Sequence, residues 1–275
     1  MLFIGTAGYS YDDWIGPFYP PSIKQREMLP FYAREFSFTE VNSTFYRIPT
    51  KYMLYHMQEK TPPGFQFVIK APKELTHERE DNQKSFRQFR EALEPLIENK
   101  KLGCILAQFP YSFHCNKSNQ DYLKKFREGL EELPVVVEFR HRGWIKKEVF
   151  NLMVEQQLGY VCVDQPQLGN LIPPVVWVTA PIGYVRFHGR NREKWWRYDY
   201  PHERYDYLYS EAELREWIPR IKKLFHKTSK TFISMNNHYQ GKAITNARML
   251  RRMLEETKVI PPDAKPFDKK ESDRG

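Results

Sequence analysis

Polar side chains able to handle an anionic or sugar-like ligand close most of the short apolar runs in this 275-residue chain. Side chains alternate between the two faces of a strand. On that rule "FTEVN" puts Glu40 and Asn42 on one face. "VVVEFRH" puts Val136, Glu138 and Arg140 together, opposite Val135, Val137 and Phe139, and "YVRFHG" pairs Arg186 with His188, opposite Val185 and Phe187. Lys70, Gln108 and Asp164 are expected at matching places on the third, fourth and sixth runs, and Asn236 shares a parity with His238 on the last. Glu138 or Glu40 would serve as general base, with His188 as acid or hydrogen-bond donor. Lys70, Arg140 and Arg186 would hold phosphate, and Asn42, Gln108, Asp164, Asn236 and Asn237 would complete the binding surface.

A simpler reading stands beside this one. Three acids (Glu40, Glu138, Asp164) face three bases (Lys70, Arg140, Arg186), so they can neutralise one another as an internal ion-pair network without chemistry. Glu40, Glu138, Asp164 and His188 are also suitable ligand types for a divalent metal, and the cofactor is otherwise left open. No HExxH and no pair of histidines on one strand supports a metal, so no metal ligands are assigned.

The seventh run continues as "HGRNREKWWRYDY". Gly189 would let backbone approach a ligand closely. Arg190, Arg192, Lys194 and Arg197 supply charge, while Trp195, Trp196, Tyr198 and Tyr200 supply flat faces. Phosphate capture beside base or sugar stacking uses that mixture. The alternative is an aromatic lid with solvated cations. The first loop, "YSYDDWIGPFYP", adds Tyr9, Tyr11, Trp14 and Tyr19 near the same end, as binding faces or as a packed plug.

Eight apolar runs, most of them followed by an amphipathic stretch, must position these groups. Such alternation predicts a parallel sheet covered by helices, and eight units predict a closed (β/α)8 TIM barrel of class α/β. The sixth helix is expected to be short or replaced by a loop, because "QPQLGNLIPPVVWVTAPIG" is rich in proline. "REMLPFYAREF" reads as a helix interrupted at Pro30. A doubly wound open sheet is the runner-up, but "GTAG" is not a dinucleotide-binding fingerprint. One barrel domain over residues 1–258 is expected, followed by a loose charged tail over 259–275. Barrel active sites lie at the C-terminal ends of the strands, so the polar groups should ring one mouth.

Lys and Arg number 43 against 34 Asp and Glu, a formal charge of +9 that favours an anionic small molecule or nucleic acid as partner. Three cysteines without a CxxC spacing indicate neither a disulfide framework nor a zinc ribbon, and fit a reduced cytoplasm. No apolar run approaches the roughly 20 residues that span a bilayer, so no membrane partner is expected. Nothing in the sequence specifies an oligomeric state. His77 follows the third run within reach of the mouth, though a loop histidine is more often simply exposed. Three function classes follow: a protein that binds and hydrolyses a phosphorylated or nucleic-acid ligand, a glycosidase-like barrel using Glu40 and Glu138, and a non-catalytic nucleic-acid-binding adaptor.

The blocks "GTAGYSYDDWIGPFYP", "EVNSTFYRIP", "FVIKAPKELTHE", "LAQFPYSF", "VEFRHRGW", "VRFHGR" and "NNHYQGKAITNA" occur in this order. Across about residues 2–255 the chain resembles the YecE-like proteins, a bacterial and archaeal group of unknown function. The resemblance implies a TIM barrel and no established activity. Its prominent positions fall on residues already named, among them Glu40, Lys70, Glu138, Arg186, His188 and Gly189. Ala7 and Tyr9 stand where Ser and Trp are commoner, and Met235 where an aromatic is.

Overall fold

The computed structural model describes residues 1–261. Eight parallel strands close in sequence order: β1 (Leu2–Ala7), β2 (Phe38–Val41), β3 (Gln66–Lys70), β4 (Leu102–Gln108), β5 (Val135–Glu138), β6 (Leu158–Asp164), β7 (Ile182–Phe187) and β8 (Lys230–Met235), with β8 pairing back onto β1. Helices α1 (Gln25–Tyr32), α2 (Lys51–Glu59), α3 (Gln83–Glu98), α4 (Lys117–Leu130) and α5 (Lys147–Glu155) each follow one strand; α6 (Glu211–Arg215) and α7 (Ile218–Lys227) follow β7, and α8 (Lys242–Glu256) follows β8. The molecule is a single α/β barrel of the TIM type. Residues 262–275 of the expected tail lie outside the described residues, and Val259, at its start, packs into the core.

No helix follows β6. The strap that replaces it carries Pro166, Pro173, Pro174 and Pro181, which cannot donate backbone bonds to a helix. Thr179 ties this strap to the outside of β6: its Oγ1 donates to the Leu158 carbonyl at 2.6 Å and accepts from the Tyr160 amide at 2.8 Å. Trp177 stacks on Phe150 of α5 at 4.0 Å between ring centroids, covering apolar surface that a sixth helix would cover. In α1 the helix runs through Pro30 rather than breaking there. After β7 come two helices, α6 and α7, with Pro219 in the first turn of α7.

Strand register fixes which side chains share a barrel layer. Glu40 pairs with Val68, Val68 with Cys104, Gln108 with Glu138, and Val163 with Arg186. The lower barrel is plugged by Phe3, Phe38 and Phe232, whose rings lie 4.9–5.2 Å apart. Gly103 sits beside the register shift between β3 and β4, where an added Cβ would lie 2.8 Å from the Phe232 ring. The plug thus needs a residue without a side chain there. Each large apolar side chain so buried stabilises the fold by about 1.5–3 kcal/mol. The polar layer above this plug is the exception to an otherwise apolar core. No helix among the described residues is long and apolar enough to cross a membrane.

Candidate functional site: a cationic mouth above two buried glutamates

Arg186 on β7 lies inside the barrel and bridges two carboxylates. Its Nε and Nη2 donate to Glu40 at 3.0 and 2.6 Å, and its Nη1 donates to Glu138 at 2.6 Å. Glu40 also accepts from the Tyr184 hydroxyl at 2.9 Å and from Ser234 at 3.2 Å. Glu138 further pairs with Arg140 Nε at 2.8 Å and meets His188 Nε2 at 3.2 Å. Both glutamates and His188 are fully buried. Burial alone would raise the Glu138 carboxyl, but Arg140 and Arg186 outweigh it and hold the group well below its ordinary value. Asn236 Nδ2 donates to His188 Nδ1 at 2.9 Å, so the ring's proton sits on Nε2 and points at Glu138. Burial and then Arg140 push His188 down to about 3, so it is neutral near pH 7.

Above this layer the mouth opens as two adjoining recesses of about 310 and 280 Å³. Lys70 and Arg140 border both, Arg186 floors the first, and no Asp or Glu lines either among the described residues. The cluster therefore holds three cations against two carboxylates, with the acids below and the cations facing the opening. Among the described residues Lys70 has no ion-pair partner; its Nζ lies over the Phe45 ring, 4.5 Å from the centroid. Burial, with Arg186 next, lowers its amine to about 8. Asn42, Gln108 and Asn236 add amides to the first recess, and the Asn42 Oδ1 is buried without a partner. Trp195 and Trp196 wall the second recess; Trp195 is buried and Trp196 is 53% exposed.

Of the residues expected at the site, the structure brings eight to the mouth: Asn42, Lys70, Gln108, Arg140, Arg186, Trp195, Trp196 and Asn236. Others lie elsewhere. Glu40, Glu138 and His188, expected as catalytic groups, sit beneath it. The two glutamates accept from arginines and so orient cations rather than face a ligand, and His188 is held between Glu138 and Asn236. Glu40 borders a separate recess behind Tyr11.

Asp164 is misplaced by strand-end reasoning. It pairs with Phe187, not Arg186, and so points outward to the helices. There it accepts from Trp217 Nε1 and the Tyr209 hydroxyl, both at 2.7 Å, and from Arg190 Nε and Nη2 at 2.9 and 2.7 Å. Arg190 is thereby drawn away from the mouth, with Glu216 as a further partner at 3.0 Å. Asn237 is buried and donates to the Tyr207 carbonyl and to Asn246. Among the other loop cations, Lys194 pairs with Glu203.

Gly189 also serves structure rather than ligand approach. Its φ is +90°, and an added Cβ would lie 2.7 Å from Tyr207 Cβ, while its amide donates to the Tyr209 hydroxyl. Gly189→Ala should cost about 1–3 kcal/mol of stability through left-handed strain and overpacking. The urea midpoint should fall while anion affinity of the folded fraction stays within about twofold; a large affinity loss at unchanged stability would contradict this assignment.

Tyr11 and His77, placed near this end from sequence, reach the mouth, and Phe45, Tyr46 and Tyr205, which the sequence did not single out, join them. Tyr11 stacks on His238 at 4.6 Å and 5°. Phe45 and Tyr46, just beyond β2, and Tyr205, from the loop after β7, wall both recesses. His77 is half-buried at the second recess, edge-on to Phe45 at 4.8 Å, rather than exposed. The only sequence signal for this group is its position in loops that follow barrel strands. Among the described residues no group of three or more His, Cys, Asp or Glu side chains is arranged to hold a metal ion.

The family described as "Protein of unknown function DUF72" matches residues 3–270. The chain belongs to this family. UPF0759 protein YunF of Bacillus subtilis (strain 168) is 30% identical over 272 residues, covering 93% of this chain and 95% of YunF. A DUF72 family protein of Thermotoga maritima MSB8 superposes with a TM-score of 0.86 at 38% identity, covering 93% of this chain and 99% of that one. A DUF72 family protein of Enterococcus faecalis V583 gives 0.83 at 29% identity, covering 93% and 96%. The DUF72 barrel is thus a recurring scaffold, and the chemistry of its mouth must be argued from the side chains just described.

Proposed function

We propose that the mouth of this DUF72 barrel binds the phosphate group of a phosphorylated small molecule or nucleic-acid end, with the aromatic rim taking the flat part of the ligand. The observation that carries this is the segregation of charge: Lys70, Arg140 and Arg186 face the recesses while Glu40 and Glu138 lie beneath them. Arg140 is oriented by Glu138 through Nε at 2.8 Å, and its guanidinium borders both recesses. A guanidinium presents planar donors suited to an oxyanion. Because the arginines are already oriented by buried carboxylates, binding costs little reorganisation. A glycosidase-like reading lacks a free carboxylate at the mouth. Hydrolysis of a phosphate ester would have to use groups other than Glu138 and His188.

A thermal-shift panel tests the reading with inorganic phosphate, nucleoside monophosphates, sugar phosphates, short single-stranded DNA and RNA, and the matching dephosphorylated compounds. A phosphorylated ligand at 100 times its Kd should stabilise the fold by about 2.7 kcal/mol. Arg140→Gln should weaken that ligand by roughly 10-fold or more, at the 1.5–3 kcal/mol of a charged hydrogen bond. Equal stabilisation by the dephosphorylated compounds, or no effect of Arg140→Gln, overturns it. A non-catalytic nucleic-acid adaptor would instead show affinity for DNA or RNA falling steeply with salt and indifferent to this substitution.

A further inference from the structure

We infer that Lys70 is a reacting amine, which forms an imine with the carbonyl group of a phosphorylated aldehyde or ketone held at the mouth. This deepens the anion-binding reading and rests on it. The geometry comes first. The Lys70 amine borders both recesses, so a ligand lying across them must pass it. Among the described residues it makes no ion pair, and its Nζ lies 4.5 Å from the centre of the Phe45 ring. Arg140 and Arg186 supply fixed positive charge for a phosphate, so the site does not need a third permanent cation.

Chemistry agrees with the placement. An amine reacts only when unprotonated, and burial beside other cations favours that form. Arg186 and Arg140 disfavour the ammonium, while Glu40 and Glu138 favour it from below. The balance leaves Lys70 at about 8, against an ordinary 10.5, so a useful fraction is free amine near neutral pH. His77 lies beside the same recess, its Nδ1 2.9 Å from the Thr76 hydroxyl. Burial and then Lys70 push it down to about 4, so it stands as a neutral imidazole beside the recess and adds no competing positive charge. The step balances without a redox partner. The amine nitrogen adds to the carbonyl carbon, two protons leave nitrogen and join the carbonyl oxygen, and water departs to leave the C=N bond. The protonated imine then acts as an electron sink for reaction at the adjoining carbon.

The test uses the wild-type protein and pyridoxal 5′-phosphate, an aldehyde that also carries phosphate. Incubation is followed by borohydride, which reduces any imine to a stable secondary amine, and by peptide mass mapping. Lys70 should be modified about 10-fold or more faster than the exposed Lys222 and Lys223, as its lowered amine value requires. Pyridoxine 5′-phosphate, the alcohol that cannot form an imine, should slow labelling of Lys70 and leave Lys222 unaffected. If the alcohol phosphate raises the melting temperature but Lys70 labels no faster than Lys222, the imine is overturned and the anion site stands. If the alcohol phosphate neither binds nor protects, the anion reading itself fails.

Discussion

Replacing Arg186 by Met should lower folding stability by about 3–5 kcal/mol, the cost of breaking a buried ion pair by removing one partner. Arg186 is almost wholly buried and bridges Glu40 and Glu138, so its loss leaves two carboxylates beneath the mouth short of donors. Glu40 would retain Tyr184 and Ser234, and Glu138 would retain Arg140 and His188. Those remaining bonds keep the deficit within that range. Against a typical total of 5–15 kcal/mol, the change is large enough to move the urea midpoint well outside error. The pH dependence gives a second readout. Glu138 is held below its ordinary 4.5 in the folded wild type, so its contribution is fully present above that value and lost as pH falls through the folded value. The stability gap between wild type and Arg186→Met should therefore narrow in acid. A loss under about 1 kcal/mol, or a gap that widens in acid, would show that the two glutamates do not depend on this guanidinium.

Asp164→Ala should produce a comparable loss, about 3–5 kcal/mol, with a different functional signature. The substitution removes the acceptor for the Trp217 indole, the Tyr209 hydroxyl and the Arg190 guanidinium. Arg190 keeps Glu216 at 3.0 Å and Glu213 at 3.6 Å, but the two buried donors keep much less. Tyr209 loses its 2.7 Å acceptor and is left with the Asp164 backbone carbonyl at 3.5 Å, while still accepting from the Gly189 amide. Because Asp164, Arg190 and Gly189 together fix both ends of the 189–209 segment, amide hydrogen exchange should rise there first. Anion affinity of the folded protein should change less than in Arg140→Gln, since Asp164 faces the helices. If instead Asp164→Ala abolished anion binding while leaving exchange unchanged, its outward placement would be wrong.

The two substitutions also show what the sequence made legible. Eight apolar runs, most of them followed by a helix, pointed to a parallel sheet covered by helices, and the absence of a dinucleotide-binding fingerprint favoured the closed barrel over an open sheet. Strand alternation correctly grouped Glu138 with Arg140 and Arg186 with His188. It could not separate Glu138, beneath the mouth, from Arg140, at its edge, since depth depends on barrel tilt as well as parity. It failed at Asp164 because counting from a strand's end says nothing of how neighbouring strands are staggered. Val163, not Asp164, pairs with Arg186, and one residue of register turns a side chain to the other face. The loop residues were less visible still. Tyr11, Phe45, His77 and Tyr205 come together only after closure brings loops from β1, β2, β3 and β7 around one opening.

The charge arrangement also explains why a barrel accepts so costly a core. A buried ion-pair network stabilises little compared with apolar packing of the same volume. Here two glutamates fix the direction of two arginines, and a lysine is left unpaired above them. A purely structural network would have neutralised Lys70 as well. The uncompensated charge at the opening is the feature that separates a ligand site from an internal clasp.

The most direct measurement is a crystal structure of the protein soaked with tungstate, an oxyanion of phosphate-like shape with strong anomalous scattering. The account predicts a bound oxyanion within hydrogen-bond distance of Lys70 Nζ and the Arg140 guanidinium, above Arg186, and displaced by a phosphorylated ligand. A mouth without anion at saturating tungstate, or anion only on the exposed Arg192 and Arg197 of the loop after β7, would contradict it.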